Sequence, residues 1–421
     1  MAARVLASTG RALMAALALW LASAAAPSLA EPVRWSAAID AGSEFDSNIH
    51  RCEAERDDCA IEAAPLARST AQLAASWRPS ADQRLTVSGV GATKLYGTAA
   101  GGDEDNAALV ASGHYQVRIP ARDALLFARA SYHDRFALAI GTPPGQVEQR
   151  NFALASAELG LEVLGDAGHG LTLYGAARRF RYKPQADFDW DGEQYGVRYR
   201  NTFWRGDGDG DEARGDAGDG DLGAALALSG GYWIERRGFR GAALRRRDDC
   251  PDEVSAEACL VTSSARRADL AHKAEIELVY TGARIYSGRY EIEAVDSNSA
   301  GPYSQWRHWI ELGVTTELLL DVFATAKVGV QLVRYQQPLV ISDQRMDAPM
   351  DDIDVDALTS VDDERRSAAS VHLARDLTSA LAIEGRYDFH LSGFDSQQRA
   401  FRRHRVYLGL VYRLSAADSG R

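Results

Sequence analysis

The sequence predicts an all-β fold, namely a single closed antiparallel transmembrane β-barrel of about 16 strands, within a range of roughly 14 to 18. Three observations predict it. Apolar and polar residues alternate with a period of two from end to end, and the connections between the alternating segments are short and long in turn. Moreover, no segment after residue 30 is a run of about 18 apolar residues, as a membrane-spanning helix requires.

The alternation is clearest in the C-terminal half. From 322 to 332 the even-numbered positions are apolar, whereas Lys327 and Gln331 lie on the opposite face. From 381 to 391 the odd-numbered positions are apolar or glycine, and the even-numbered positions from 384 to 390 are charged or His. A helix would repeat every 3.6 residues instead. Such segments predict strands with one apolar and one polar face. In order, the predicted strands are 33–47, 68–78, 83–97, 106–119, 123–136, 149–164, 169–183, 192–205, 222–238, 268–281, 283–296, 305–319, 321–336, 366–376, 380–392 and 400–414.

The connections predict which end of the barrel faces which side of the membrane. Short turns such as Leu320–Asp321 alternate with long loops, a pattern typical of outer-membrane barrels, with short periplasmic turns and long extracellular loops. The Asp-Gly-rich segment 206–221 is the exception, since it is long and falls on the short-turn side. The predicted long loops are 48–67, 97–106, 136–148, 184–191, 239–267, 297–304 and 337–365.

The strand polarity favours a membrane barrel over a soluble β-sandwich. Nearly every strand has an apolar and a charged face, and no helices are predicted to cover either. A closed ring with lipid outside and water inside satisfies both faces. The charged face then lines the lumen. The predicted lumen-lining residues are Arg198, Arg200, Lys273, Glu275, Glu277, Arg289, Glu291, Glu293, Arg307, Glu311, Lys327, Glu384, Arg386, Asp388, Arg403 and Arg405.

Aromatic residues cluster near the ends of the predicted strands. Girdles of aromatic side chains at the two membrane interfaces would explain this spacing, although ordinary strand propensity is the alternative. The residues predicted to form the girdles are Trp35, Trp77, Trp204, Trp233, Trp306, Trp309, Tyr335 and Tyr412.

Residues 1–30 have the layout of a signal peptide. Arg4 and Arg11 precede the apolar run Ala12–Ala26, and Ser28-Leu29-Ala30 offers a small-x-small cleavage site. The run is short for a bilayer span, so an uncleaved anchor is the less favoured alternative. The sequence thus predicts a signal peptide at 1–30 and an outer-membrane β-barrel at 31–421.

The four cysteines form two close pairs, Cys52 with Cys59 and Cys250 with Cys259. In an exported protein, two local disulfide bonds are the favoured interpretation. A metal site with four cysteine ligands is the alternative, but the spacings are longer than in a zinc knuckle and no His lies within either pair. We therefore expect disulfide bonds, no metal site and no cofactor.

The last predicted strand carries a resemblance to a known class. Its Tyr407-x-Gly409-x-x-Tyr412-x-Leu414 resembles the C-terminal β-signal read by the outer-membrane barrel assembly machinery of Gram-negative bacteria. It departs from that signal because Tyr407 replaces a simple polar residue and the tail SAADSGR follows. The first strand, WSAAIDAGSEFDSNIHR, is similar to the opening strand of many Gram-negative barrels. The resemblance implies a porin-like barrel in the cell outer membrane and the assembly machinery as a partner during biogenesis.

In size, strand number and style, the chain also resembles the barrel porins that accompany polysaccharide-export machines. That resemblance implies a periplasmic export protein as a partner. The C-terminal barrel of surface lipoprotein assembly modifiers is similar too, but the helical repeats that precede it there are missing here. Outer-membrane lipid and lipopolysaccharide are further expected partners. The acidic loop 343–364 is interpreted as a solvated outer loop, with divalent bridging to lipopolysaccharide or repulsion of anionic solutes as the alternatives.

Together these features predict a channel that passes a polar solute or a secreted polysaccharide across the outer membrane. The alternative is a non-conducting structural or surface-binding barrel that acts through its extracellular loops. The net charge of −12 disfavours non-specific nucleic-acid binding. An enzyme is not expected, although Asp40 and Asp46 with His50, or Ser297 with His308, are sets that a membrane hydrolase would use.

Overall fold

The computed structural model describes residues 33–49, 61–97, 105–137, 151–165, 169–183, 186–205, 224–247, 259–300, 303–336, 367–391 and 402–415. These residues form one closed barrel of 16 antiparallel strands, which confirms the predicted fold class. The strands are β1 (Arg34–Asp46), β2 (Ala64–Ser80), β3 (Gln83–Tyr96), β4 (Asn106–Ile119), β5 (Ala124–Ala137), β6 (Phe152–Leu164), β7 (Gly170–Tyr182), β8 (Trp190–Arg205), β9 (Ala225–Arg246), β10 (Leu260–Thr281), β11 (Arg284–Ser297), β12 (Gln305–Glu317), β13 (Val322–Tyr335), β14 (Ser367–Asp376), β15 (Leu381–Leu391) and β16 (Arg402–Ser415).

The ring is closed by the pairing of the first strand with the last. β1 runs antiparallel to β16 from Ser36 opposite Ser415 to Asp46 opposite Arg405. Every other strand pairs with its two neighbours in the sequence, so the ladder has no unpaired edge. A closed ladder satisfies the backbone hydrogen bonds of all strands without water, which is the requirement for crossing a bilayer with strands.

One rim carries the short connections that the sequence predicts. Pro120–Arg122 and Leu319–Asp321 are single turns of 3-10 helix between adjacent strands. In the second of these turns Leu320 and Asp321 adopt left-handed backbone conformations, with φ of 63° and 58°. We call this rim the turn side and the opposite rim the loop side. The predicted signal peptide 1–30 and the Asp-Gly-rich segment 206–221 lie outside the described residues.

The outer face of the barrel is aliphatic and exposed. The most exposed of its leucines lie in the middle of strands: Leu159 is 69% and Leu408 is 61% exposed. A continuous apolar surface of this kind would be unstable in water, whereas lipid chains cover it without cost. The outer face thus has the polarity of a membrane-embedded surface. Among the described residues, no helix is long and apolar enough to cross a membrane.

The predicted aromatic girdle is correct in part. Trp35, Trp306 and Tyr412 are exposed, and their positions in the strand registers place them on the outer face. Trp233 and Trp309 lie on the inner face instead and are buried. Side chains alternate between the two faces along the regular parts of each strand, so an odd shift along the chain moves a side chain from lipid to lumen. The side chains of Trp204 and Tyr335 lie outside the described part of the molecule.

Outward histidines supplement the girdle. The hydroxyl of Tyr290 lies 2.9 Å from Nδ1 of His308, and the hydroxyl of Tyr387 lies 2.8 Å from Nδ1 of His404. In each pair the tyrosine lies diagonally across from the histidine on the neighbouring strand. Such pairs satisfy each other's polar atoms at a surface that faces lipid.

Several strands are longer than the sequence predicts. β2 begins at Ala64, within the predicted loop 48–67, and the largest extensions are those of β9 and β10. The loop prediction of 239–267 is wrong over much of its length, because β9 continues to Arg246 and β10 begins at Leu260. The charged composition of this stretch suggested a loop, yet the two strands pair with each other beyond their other neighbours, as far as Leu260 opposite Arg246. The segment is therefore a two-stranded ribbon that continues past the loop-side rim.

Candidate functional site

The inner wall of the barrel is identified by ion pairs that skip a strand. Glu44 on β1 lies 3.3 Å from Lys94 on β3. Arg178 on β7 lies 3.1 Å from Glu235 on β9. Side chains of alternate strands approach each other only across the concave face of a closed sheet, because on the convex face they diverge. The face that carries these residues is therefore the inner wall.

The strand registers extend this assignment to the remaining strands, since directly opposed residues of an antiparallel pair share a face. Lys273 opposes Glu293, and Glu293 opposes Arg307. All of the residues that the sequence predicts to line the lumen lie on the inner wall, and their contact with a solute remains a prediction. They are Arg198, Arg200, Lys273, Glu275, Glu277, Arg289, Glu291, Glu293, Arg307, Glu311, Lys327, Glu384, Arg386, Asp388, Arg403 and Arg405.

Charged inner residues surround the seam where β16 meets β1. Glu44 accepts hydrogen bonds from Arg68 and Lys94, both at 3.3 Å. Arg403 donates from Nε to Asp46 at 2.9 Å. Both carboxylates are fully buried, so each is neutralised by a cation rather than by water. We call this group the closure cluster: Glu44, Asp46, Arg68, Lys94, Arg386, Asp388, Arg403 and Arg405.

A second charged group lies on the opposite side of the ring, from β7 to β12. Glu235 accepts from Arg178 at 3.1 Å and from Arg237 at 2.6 Å. Lys273 lies 2.9 Å from Glu291. These contacts connect strands laterally and stiffen the wall. We call this group the far-wall cluster: Arg178, Glu235, Arg237, Lys273, Arg289, Glu291, Glu293 and Arg307.

Burial divides the inner wall into two halves. Towards the loop side the charged side chains are buried, as Lys94, Lys273 and Arg403 show. Towards the turn side they are exposed: the side chain of Arg200 is 60% and that of Lys327 is 52% exposed. Water therefore reaches the inner wall most freely in the turn-side half.

The turn-side half contains a compact set of charges on β5, β6 and β8. Glu158 lies 3.2 Å from both Arg129 and Arg198, and Glu162 lies 2.7 Å from Arg200. The guanidinium carbon of Arg198 lies 3.9 Å from the ring centroid of Tyr174, which holds the side chain against the wall. We call these five charged residues the vestibule group.

Several inner aromatic rings lie flat on the wall instead of pointing towards the axis. A Cβ added at Gly196 would lie 2.5 Å from the ring of Tyr174, and one at Gly329 would lie 2.6 Å from the ring of Trp309. Glycine therefore leaves the space that each ring occupies on the neighbouring strand. The ring of Tyr407 covers Gly409 and Gly42 in the same way, which explains the aromatic residue in place of a small polar one at that position.

Part of the inner wall is apolar, which the sequence analysis did not predict. Phe152, Phe180 and Trp190 stack in series, with ring centroids 5.6 Å and 5.7 Å apart. All three are fully buried. Arg178 and Arg237 lie over the ring of Trp190, so the far-wall cluster rests on this apolar group. The alternation of 152–200 could have shown it, because Phe152, Phe180 and Trp190 lie at even positions of β6, β7 and β8.

Among the described residues, Ser297 and His308, one of the sets that a hydrolase would use, are not brought together. Asp46 is bound by Arg403, Asp40 accepts a hydrogen bond from the hydroxyl of Tyr407, and His50 lies outside the described residues. Ser297 donates to Asp269 at 2.6 Å on the inner wall, whereas His308 lies on the outer face.

The predicted lumen-lining residues include four of the eight residues of the closure cluster and miss Glu44, Asp46, Arg68 and Lys94. Arg68, Lys94 and Glu44 come from strands whose polar faces are interrupted by alanine, serine and glycine. The alternation of positions along β1 could have indicated Glu44, because Glu44 lies on the same strand face as Asp40 and Asp46. Their pairing could not be predicted, since it depends on the closure of the ring between β16 and β1.

Of the four cysteines, Cys259 alone belongs to the described residues. It is fully buried and is not a free thiol. The other three, Cys52, Cys59 and Cys250, lie outside the described residues, so the predicted pairing within each couple stays a prediction.

No protein-family model matches this sequence, and no curated protein matches it either. Among solved structures, the chain is similar to an anion-selective porin from Comamonas acidovorans, with 10% identity and a TM-score of 0.42, covering 91% of this chain and 100% of that one. It is also similar to OccK2 (OpdF) from Pseudomonas aeruginosa, with 10% identity and a TM-score of 0.38 over 91% and 98% of the two chains. A bacterial polysaccharide outer membrane secretin has 9% identity and a TM-score of 0.37 over 90% and 98%.

The polarity of the barrel itself identifies its surroundings. Its ladder is closed, its outer face is aliphatic and exposed, and its inner wall is charged. Only a bilayer accommodates a ring with that polarity. The chain is therefore a multi-pass transmembrane β-barrel of the outer-membrane type.

Proposed function

We propose that this barrel is a water-filled channel that passes a polar solute across the outer membrane. The observation that carries the proposal is the exposure of charged side chains that point into a closed ring, such as those of Arg200 and Lys327. A side chain inside a barrel is exposed only where a space next to it is large enough for water. Barrels of about 16 to 18 strands are wide enough to hold an aqueous path.

The arrangement of the inner aromatic rings supports the same function. Tyr174, Trp309 and Tyr407 lie along the wall over glycines and do not extend towards the axis. Large side chains are thus accommodated at little cost to the width of the lumen. A barrel that served only as a membrane anchor would gain more stability by packing these rings across its centre.

The loop-side half is the proposed constriction. The closure cluster and the far-wall cluster lie on opposite sides of the ring, and their charged side chains are largely buried. Paired charges at a narrow level give a polar wall that a hydrated solute can contact. The cargo is a polar solute, and a secreted polysaccharide is the finer proposal that the resemblance to export porins supports.

The experiment that tests the channel is conductance of the purified full chain in planar lipid bilayers. We expect stepwise insertion of open channels, and swelling of liposomes in small sugars with a size limit. Absence of current at every voltage, together with no sugar permeation, would contradict the proposal. Permeation by long neutral and charged oligosaccharides would support the polysaccharide, whereas a limit at small sugars would support a small solute.

The position of the constriction has its own test. Lys273→Ala combined with Glu291→Ala removes both charges of a buried pair, while Arg289, which also contacts Glu291, keeps its contact with Glu275, and we expect single-channel conductance to rise. The matched control is Lys327→Ala combined with Glu311→Ala, where the inner wall is already exposed. An equal rise in both variants would show that the loop-side half is not the narrow part.

One observation favours the alternative of a barrel that acts through its outer surface. β9 and β10 continue as a ribbon beyond the loop-side rim, and this ribbon ends next to the predicted disulfide at Cys259. A surface-binding barrel would need such a protruding element. It would lose its activity when the ribbon is shortened, while a channel would keep its conductance.

A further inference from the structure

We infer that the inner wall selects anions, and that the solute of this channel is negatively charged. This inference rests on the proposed channel function and adds the charge class of the cargo. Its basis is the order in which opposite charges are layered on the inner wall, in the vestibule group and in the two clusters.

In the vestibule group the cations lie nearer to the water than the carboxylates that pair with them. The side chain of Arg200 is 60% exposed and that of its partner Glu162 is 14% exposed. Arg129 is 44% exposed, whereas Glu158, which it shares with Arg198, is 13% exposed. The water-filled side of these pairs is therefore lined by guanidinium groups.

The same order holds in the buried clusters. Arg386 is 26% exposed over the fully buried Glu44, and Arg237 is 20% exposed beside Glu235 at 2%. Three pairs have the reverse order, namely Arg118 with Asp123 and Arg413 with Asp376 at the turn-side rim, and Arg405 with Asp388. The layering is thus a property of most of the described wall and is strongest in the vestibule group.

The cause is the difference in side-chain length on a concave surface. Arginine and lysine are longer than aspartate and glutamate, so a paired cation reaches further towards the axis than its carboxylate. An ion on the axis is then closer to the positive than to the negative end of each pair. Rings of Arg or Lys at this position are what anion-selective pores use.

The distribution of net charge points the same way. The whole chain carries −12. On the inner face of the described strands, however, arginine and lysine slightly outnumber aspartate and glutamate by the strand registers. An acidic protein with a cationic inner wall has separated its charges, and a low-dielectric wall concentrates the resulting field in the lumen.

The test is the reversal potential of the full-length barrel in planar bilayers under a KCl gradient. We expect a sign that corresponds to chloride permeating faster than potassium. The Debye length is about 10 Å at 0.1 M salt and about 3 Å at 1 M, so the preference should weaken as the salt rises. A preference for potassium, or a chloride preference that does not change with salt, would overturn the inference.

Charge-neutralising variants show which residues set the ion selectivity. Arg198→Gln combined with Arg200→Gln should reduce or abolish the preference for chloride, and Glu162→Gln should increase it. The matched control is Arg179→Gln combined with Arg236→Gln, which removes the same charge from the outer face, since Arg179 opposes Asp191 and Arg236 opposes Glu193 on that side. An equal shift in the control would mean that overall charge, and not the vestibule group, sets the preference, which overturns the inference.

A separate experiment tests whether the channel prefers large anions to neutral molecules of the same size. An anionic oligogalacturonate added on the turn side should block the current at lower concentration than a neutral maltooligosaccharide of the same length. Equal block by both would contradict anion selection. A barrel that does not conduct overturns the proposed function and with it this inference, whereas a conducting barrel that prefers cations overturns the inference alone.

Discussion

At the scale of single residues, the inner wall combines two kinds of position that respond very differently to substitution. Buried carboxylates such as Asp46 are paired with a cation away from water, and some glycines are covered by a ring or by backbone. Exposed pairs and open glycines of the same chemistry occur elsewhere in the barrel. The effect of a substitution at a buried pair or a covered glycine can therefore be compared with the same substitution at an exposed position.

The first prediction concerns the buried pair of Asp46 and Arg403. Asp46→Asn leaves the guanidinium group of Arg403 buried without its counter-charge, so we expect a loss of roughly 3 to 5 kcal/mol in the free energy of unfolding. The control is Asp376→Asn, whose pair with Arg413 is about half exposed, and we expect less than about 1 kcal/mol there. Urea unfolding of the barrel in lipid vesicles measures both, and equal effects would contradict the prediction.

The second prediction concerns the glycine at the seam. A Cβ at Gly42 would lie 2.6 Å from the Cα of Gly409 and would also meet the carbonyl oxygen of Leu408. Gly42→Ala should therefore force the seam apart and cost about 1 to 3 kcal/mol. Gly91→Ala is the control, because no atom lies within 4 Å of its added Cβ. The yield of folded barrel, read from heat-modifiable mobility on gels, should fall in the first variant alone.

At the scale of elements, β9 and β10 differ from the other strands. Each has 22 residues, whereas the neighbouring β8 has 16 and β11 has 14. The ribbon is not isolated, since the backbone amide of Ala300 donates to the carbonyl oxygen of Leu244, and the Oγ of Ser299 accepts a hydrogen bond from the backbone amide of Leu244 at 2.9 Å. Its pairing depends mainly on its own two strands.

A third prediction follows for the ribbon. A variant in which 243–264 is replaced by a short turn should still insert, because β9 keeps its register with β8 and β10 keeps its register with β11. We expect unchanged heat modifiability and unchanged conductance. Loss of the folded form would show that the ribbon contributes to barrel stability, and loss of conductance alone would show that it shapes the pore.

At the scale of the whole molecule, the sequence predicts the barrel well because alternation is a local property. The apolar positions of 322–332 and 381–391 appear on the outer face as the period of two requires. The partners of Glu44 and Asp46 could not be predicted, because Lys94 and Arg403 approach them only when the ring closes. The ribbon was missed because its charged residues resemble those of a loop.

A fourth prediction tests the membrane orientation of the whole wall. Leu159 lies near the middle of β6 on the outer face and is 69% exposed. Leu159→Arg should cost about 2 to 4 kcal/mol, because the charge faces the centre of the bilayer. Ser156→Arg on the same strand points to the inner wall and should cost much less. Comparable losses in vesicle unfolding experiments would contradict the assignment of the two faces.

The ribbon of β9 and β10 has a consequence for everything that approaches the cell. At about 3.3 Å per residue, its part beyond Phe239 extends roughly 20 Å from the point where β8 stops pairing. An antibody, a phage tail or a neighbouring cell would meet this projection before it met the mouth of the barrel. Recognition by such agents should therefore depend on residues 240–246 and 260–268, which can change without altering what passes through the lumen.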